Sequence, residues 1–118
     1  MKKALIIEKA AHIAAITKKM LEDLGFTGVI VDNEADVLPV CKKEQPELVV
    51  MCYSVCQDDS AVFIPKMKKI CRPQIIFCSS NTEPDKIQEA LKVGVDEYIM
   101  KPFDHDILQS KIAMVGLL

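Results

Sequence analysis

The stretch "ALKVGVDEYIMKPFD", residues 90–104, carries the strongest fold signal in this sequence. A helix is expected to end at Gly94, because a helix C-terminus favours a residue that adopts the left-handed conformation. Tyr98–Met100 then form a short apolar run that is typical of a buried strand. Lys101-Pro102 follows where this strand ends, and Asp104 is expected to begin the last helix. The stretch therefore predicts a helix, a strand, a polar loop and a second helix in succession.

Four more apolar runs precede this stretch in the sequence, and each is continuous rather than alternating. Continuous runs are typical of strands buried on both faces. The five predicted strands are Ala4–Ile7, Val29–Val31, Leu48–Met51, Ile75–Phe77 and Tyr98–Met100. Segments with helical spacing of apolar residues follow each of them. The pattern predicts a doubly wound α/β domain, a five-stranded parallel sheet with five helices.

Individual residues mark the expected helix boundaries. Gly25 suits the end of the first helix, and Asn33 suits the N-cap of the second. Pro39 is expected to kink or shorten the second helix. Pro65 is expected to fit the third helix only in its first turn, where a missing N–H is harmless. The fourth helix is expected from about Glu83 to Val93.

Length and composition describe an ordinary globular chain. Its 118 residues are 50% hydrophobic and 27% charged, which predicts a single domain over residues 1–118. A formal net charge of -2 gives no sign of nucleic-acid or membrane binding. The first apolar run is too short for a signal peptide or a membrane span, so we expect a cytoplasmic protein. The oligomeric state is left open.

The cysteines do not form a recognisable framework. Their number is odd, and no C-x-x-C motif occurs, which argues against structural disulfides. His12 and His105 do not cluster with them at metal-ligand spacing, so no metal site is predicted. Cys41, Cys71 and Cys78 are expected to be small core residues. The five cysteines are Cys41, Cys52, Cys56, Cys71 and Cys78.

Polar residues follow four of the predicted strands. In doubly wound folds the functional site lies outside the carboxyl ends of the strands. These ends carry Glu8-Lys9-Ala10, Cys52-Tyr53, Ser79-Ser80 and Lys101-Pro102. The pattern predicts that the four segments meet at one edge of the sheet.

Those endings, in that order, resemble the receiver domain of bacterial two-component response regulators, and stand-alone receivers of the chemotaxis CheY type in particular. The resemblance covers nearly the whole chain. It rests on the stretch quoted above, on "MLEDLGF" at residues 20–26 and on "IIFCSSN" at residues 75–81.

The resemblance implies a phosphorylation site. In active receivers an acidic pair after the first strand holds magnesium, and an aspartate after the third strand takes a phosphoryl group. A hydroxyl and a lysine contact the phosphoryl oxygens. The matching positions are Glu8 for the first acid, Ser79 for the hydroxyl, Lys101 for the lysine, Pro102 for a proline that typically follows a cis bond, and Tyr98 for the aromatic that switches together with Ser79.

Two positions depart from this pattern. Lys9 stands in place of the second acid, and Cys52 stands in place of the phosphorylated aspartate. Magnesium would lose two oxygen ligands and meet a like charge, so its binding is expected to be weak or absent. Lys9 is interpreted either as a substitute for the metal, as a partner of Glu8, or as a solvated strand-end lysine.

A thiol does not form an acyl phosphate, so the leading hypothesis is a degenerate receiver that binds proteins without phosphorylation. Phosphorylation of Asp58 or Asp59, in the following loop, would contradict it. The expected partner is another signalling protein, such as a histidine kinase or a phosphotransfer protein. No histidine is placed to act as a base, so we expect no enzyme activity. The partner face implied by the resemblance consists of Lys86, Glu89, Lys92, Asp96 and Tyr98.

An alternative hypothesis makes Cys52 a redox or ligand sensor. A thiol beside lysines is expected to have a depressed pKa and to react as a thiolate. Cys56, four residues further on, is the expected resolving thiol. The competing interpretation is that Cys52 only fills the space of the lost aspartate.

Overall fold

The computed structural model describes residues 2–56, 59–80 and 84–118. Within these ranges, five parallel strands form one sheet in the order β2-β1-β3-β4-β5. The strands are β1 Lys2–Ile7, β2 Phe26–Val31, β3 Leu48–Cys52, β4 Gln74–Ser79 and β5 Glu97–Met100. The order reverses after β2, so the sheet is doubly wound, as predicted from the alternating pattern.

Six helices connect and flank the strands within the described ranges. They are α1 Ala11–Asp23, α2 Glu34–Glu44, α3 Tyr53–Cys56, α4 Ser60–Ile70, α5 Pro84–Lys92 and α6 His105–Met114. The single turn α3 is an addition to the five predicted helices. It forms because Val55 and Cys56 are buried, while the Tyr53 ring packs edge-on against Phe77 with centroids 6.2 Å apart.

Local signals set the helix ends. The Asn33 side chain accepts the Asp36 N–H at 3.0 Å, which confirms the predicted N-cap of α2. Gly25 and Gly94 adopt φ values of 93° and 119°, which a side chain would disfavour, and each stands just after a helix. α5 lies inside the predicted span, whose first residue, Glu83, is outside the described residues.

The expectation for Pro65 was wrong, and Pro39 does not end the helix that contains it, so the expected kink at Pro39 stays a prediction. α2 continues through Pro39, and Pro65 lies in the second turn of α4 rather than the first. A proline in a helix interior costs about 3 kcal/mol. Both prolines are exposed, whereas the neighbouring Val37 and Met67 are fully buried. Packing of these apolar faces on the sheet offsets the lost hydrogen bonds.

Alternation along the strands divides the core into two layers. Leu5, Val49 and Phe77 belong to the layer covered by α2, α4 and α5. Cys52 and Cys78 belong to the other layer, which α1 and α6 cover. The strand pleat therefore decides which side chains reach each side of the site. No helix in the described part of the chain is long and apolar enough to cross a bilayer.

Candidate functional site

The carboxyl edge of the sheet brings the predicted residues together. Glu8 follows β1, Cys52 ends β3, Ser79 ends β4 and Lys101 follows β5. The Lys101–Pro102 peptide bond is cis, as the resemblance implies. Because parallel strands all end at the same edge, strand position alone is sufficient to assemble this cluster.

The Glu8 carboxylate is the centre of the cluster. Glu8 as a whole residue is 4% exposed, and its Oε1 lies 2.6 Å from Lys101 Nζ. The Cys52 thiol donates to the same oxygen at 3.2 Å. The Ala10 N–H donates to Oε2 at 3.4 Å. A buried carboxylate needs such partners, and here protein donors already engage both of its oxygens.

The electrostatics favour the charged form of both partners. Burial alone raises the pKa of Glu8, but Lys101, the Cys52 thiol and the Ala10 N–H together hold that pKa below its usual value of 4.5. Burial lowers the pKa of Lys101, but hydrogen bonds to Cys52 and Glu8 raise it above 10.5. At neutral pH the site therefore contains an internal ion pair.

Lys101, and not Lys9, is the cation that reaches Glu8. The Lys9 side chain is exposed, although it is adjacent to Glu8 in sequence. Successive residues of an extended chain point to opposite faces, so the inward position of Glu8 turns Lys9 outward. This geometry favours the interpretation of Lys9 as a solvated lysine.

The two residues of the predicted switch have separate partners. Ser79 is 2% exposed, and its hydroxyl donates to the Ser80 carbonyl at 3.0 Å. Tyr98 is 37% exposed, and the Lys111 ammonium lies 4.8 Å from its ring centroid. Tyr98 therefore adopts an outward position against α6.

The neighbouring thiol of Cys52 is Cys78, and the prediction of Cys56 as a resolving thiol was wrong. Cys52 and Cys78 are register partners on β3 and β4. Cys56 belongs to the opposite core layer, and burial raises its pKa to about 12.

The prediction that Cys41 and Cys78 are core residues is confirmed, whereas Cys71 is only half-buried. Cys78 could have been found from its place beside Ser79 at the end of a strand.

A family model described as "Response regulator receiver domain" matches residues 4–113. The chain belongs to this family. Receivers are the regulated domains of two-component signalling, so the fold and the signalling context predicted from the resemblance are confirmed. The position of Cys52 at the end of β3 is the one at which the resemblance places the phosphorylated aspartate.

Named relatives place this receiver among regulators of different lengths. It is 30% identical to the "Transcriptional regulatory protein YxdJ" of Bacillus subtilis over 95% of this chain and 49% of that protein. It is 29% identical to the "Chemotaxis protein CheY" of the same organism, over 86% of this chain and 87% of that protein. A response regulator from Thermotoga maritima superposes with a TM-score of 0.86 at 21% identity, covering 98% of this chain and 97% of that one. The receiver thus spans about half the length of the first of these relatives.

The residues present do not fit a hard divalent cation. Magnesium prefers several carboxylate or water oxygens in an octahedral arrangement. Here Glu8 is already paired with Lys101, and a thiol stands at residue 52. Within the described residues, no group of three or more His, Cys, Asp or Glu side chains could hold a metal ion.

The residues of the predicted partner face have different neighbours. Lys86 and Glu89 line a shallow surface pocket beside Tyr53. Lys92 is exposed on the same helix.

Asp96 has a structural role within the predicted partner face. Its carboxylate accepts the Ile75 N–H at 2.7 Å and pairs with Lys68, so it stabilises the fold. Tyr98 contacts Lys111 of α6. Asp96 is thus the member of the predicted face whose side chain holds the backbone of β4.

Proposed function

We propose that this receiver binds a partner signalling protein without being phosphorylated at residue 52. The observation that carries the proposal is the Cys52 thiol, which donates to a carboxylate that is already paired with Lys101. A thiol at this position does not form the acyl phosphate that an aspartate forms. The lysine that contacts phosphoryl oxygens in active receivers is here engaged by Glu8.

Weak magnesium binding is part of the same proposal. A metal ion entering the site must displace Lys101 from Glu8 and accept a sulfur ligand, which magnesium does not favour. The exposed Lys9 adds a like charge beside the site. The internal ion pair takes over the charge balance that a metal supplies in a phosphorylated receiver. We therefore assign this chain no cofactor and no enzymatic step.

The proposed partner is a histidine kinase or a phosphotransfer protein, and the proposed compartment is the cytoplasm. The partner class is proposed from the family, because receivers act on proteins rather than on small substrates. The contact face proposed for this chain is formed by α5 and β5, where Lys86, Glu89, Lys92 and Tyr98 offer mixed charge and one aromatic ring. Neither nucleic acid nor a membrane is proposed as a partner.

Binding measurements test this function. Histidine kinase and phosphotransfer domains from the same organism are titrated with the receiver, with and without magnesium and a small phosphodonor such as acetyl phosphate. We expect at least one domain to bind with an affinity that the phosphodonor leaves unchanged. A matched double variant, Cys52→Asp with Lys9→Asp, is expected to bind in a phosphodonor-dependent way. A native chain that binds only after phosphodonor treatment would contradict the proposal.

A further inference from the structure

The thiols of Cys52 and Cys78 contact each other, and Cys52 also contacts Glu8 of the Glu8–Lys101 ion pair. They are register partners at the ends of neighbouring strands β3 and β4. Both side chains belong to the same core layer and line the same small cavity, together with Glu8 and Phe103. The function proposed above uses the Cys52 thiol as a donor to Glu8, and it assigns no role to Cys78 or to the contact between the two sulfurs.

The strand geometry suits a covalent bond between the two sulfurs. Neighbouring strands lie about 4.8 Å apart. Disulfides form between Cα atoms separated by roughly 4.4–6.8 Å with Cβ atoms on the same side. Cys52 and Cys78 meet both conditions because they are directly paired and their side chains enter the same layer.

We propose that Cys52 and Cys78 are a redox modification site, which a peroxide oxidises to a disulfide across the ends of β3 and β4. This inference goes beyond the proposed binding function and does not depend on it. The Cys52 sulfur attacks peroxide, an S–O bond forms, the O–O bond breaks, and the departing hydroxide takes up a proton. The Cys78 sulfur then attacks the Cys52 sulfur, the S–S bond forms, and the oxygen leaves as a second water with the Cys78 proton.

The surroundings divide the roles between the two thiols. The neighbouring Cys78 thiol lowers the pKa of Cys52, with Lys101 acting in the same direction against burial and Glu8. Contact with Cys52 and burial raise the pKa of Cys78. Cys52 is also the thiol whose sulfur contacts Glu8 at 3.2 Å, next to Lys101, so it is the thiol that attacks, and Cys78 is the one that resolves.

A second thiol pair provides an internal comparison. The side chains of Cys41 and Cys71 also interact, and Cys71 is the more accessible thiol because it is only half-buried. Burial, followed by the neighbouring Cys71, raises the pKa of Cys41 to about 12. Burial also raises the pKa of Cys71. Lys68, which is paired with Asp96, acts against this effect on Cys71 but does not reverse it. Cys41 and Cys71 are also not register partners on neighbouring strands, so the proposal predicts that oxidation favours Cys52 and Cys78 despite their burial.

Oxidation of Cys52 would change the hydrogen bonding of Glu8. As a thiol, Cys52 donates a hydrogen bond to Glu8 at 3.2 Å. A disulfide has no S–H group, so Glu8 loses this donor while it keeps Lys101. The modification thereby changes the environment of the internal ion pair without altering its two members.

The test is peptide mapping of the native chain under non-reducing conditions after treatment with hydrogen peroxide. We expect a linked Cys52–Cys78 peptide, loss of two of the five free thiols, and full recovery with a dithiol reductant. Linkage of Cys41 to Cys71 instead would overturn the proposal. So would a chain whose thiols all persist while a free cysteine derivative in the same tube is oxidised.

Three single variants sharpen the assignment. Cys52→Ser and Cys78→Ser are each expected to abolish the linked peptide. Cys78→Ser should in addition leave a sulfenic acid on Cys52 that a carbon nucleophile such as dimedone captures. Cys56→Ser is the matched control, because Cys56 is equally buried but lies in the opposite core layer, and it should leave the linkage unchanged. A linkage that is lost in Cys56→Ser would contradict the assignment. Mapping of the native chain stands even if one of these variants does not fold.

Discussion

Lys101 Nζ lies 2.6 Å from Glu8 Oε1, and this ion pair joins the ends of β5 and β1 across the two strands between them. The carboxylate side chain is 5% exposed and the lysine side chain 25%. Cys52 lies beneath the pair and donates to the same oxygen. The pair occupies the position where the resemblance places a metal ion and a phosphoryl group, so its strength decides how the site behaves.

Removal of the lysine should destabilise the fold. Lys101→Met leaves Glu8 with the weaker Cys52 and Ala10 donors. Breaking a fully buried pair costs about 3–5 kcal/mol, and we expect about 2 kcal/mol here because Lys101 is partly exposed. Urea unfolding at neutral pH measures the loss in the free energy of unfolding.

Lys3→Met is the control for Lys101→Met, because the Lys3–Glu44 pair is 3.3 Å long and the Lys3 side chain is 45% exposed. That variant should lose at most about 1 kcal/mol, and equal losses would contradict the account.

The ion pair also predicts a pH dependence of stability. The folded pKa of Glu8 is lowered, so its contribution is present above pH 4.5 and is lost as pH falls through the folded value. The folded pKa of Lys101 is raised, so its contribution is present below pH 10.5 and is lost as pH rises through the folded value.

The test compares urea unfolding of native protein and Glu8→Gln across this range. Glu8→Gln should be less stable at neutral pH, and the difference should shrink in acid and in strong base. Glu44→Gln is the control, since Glu44 lies in a more exposed pair. A constant difference between native protein and Glu8→Gln at every pH would count against the assignment.

The carboxyl ends of the strands and some of the helix boundaries were predictable because each depends on a local signal, whereas α3 and the start of α4 were not predicted. Asn33 caps α2 and Gly94 follows α5 for reasons that a few neighbouring residues determine. Glu8, Cys52 and Lys101 were predicted to meet because parallel strands end at a common edge. The family resemblance then gave each of them a role to test.

The pairing inside the site was not predictable in the same way. The choice of Lys101 over Lys9 as the partner of Glu8 depends on which face each side chain enters. The pairing of Cys52 with Cys78 depends on the register of β3 and β4, which no local signal specifies. Sequence proximity pointed to Cys56 instead, although the turn α3 directs it into the other core layer.

Tyr98 is expected to keep its outward position whatever the phosphodonor. The Lys111 ammonium lies over its ring, and the site beneath offers no phosphoryl group to draw Ser79 away from the Ser80 carbonyl. In a Tyr53→Phe background Tyr98 is the sole tyrosine, because the chain has two. Quenching of its fluorescence by acrylamide should not change with magnesium and acetyl phosphate. Stronger shielding on phosphodonor addition would show an inward swing and contradict the expectation.

The most direct test of the central claim is intact mass after incubation with magnesium and acetyl phosphate. The account predicts that the native chain gains no phosphoryl group, whereas the Cys52→Asp, Lys9→Asp double variant gains one. Asp59 is exposed in the described structure, and Asp58 lies outside it, so peptide mapping of any phosphorylated product would locate the acceptor. An unmodified native chain beside a phosphorylated double variant would support a receiver altered at two positions. A phosphorylated native chain would contradict the claim that this receiver works without phosphorylation.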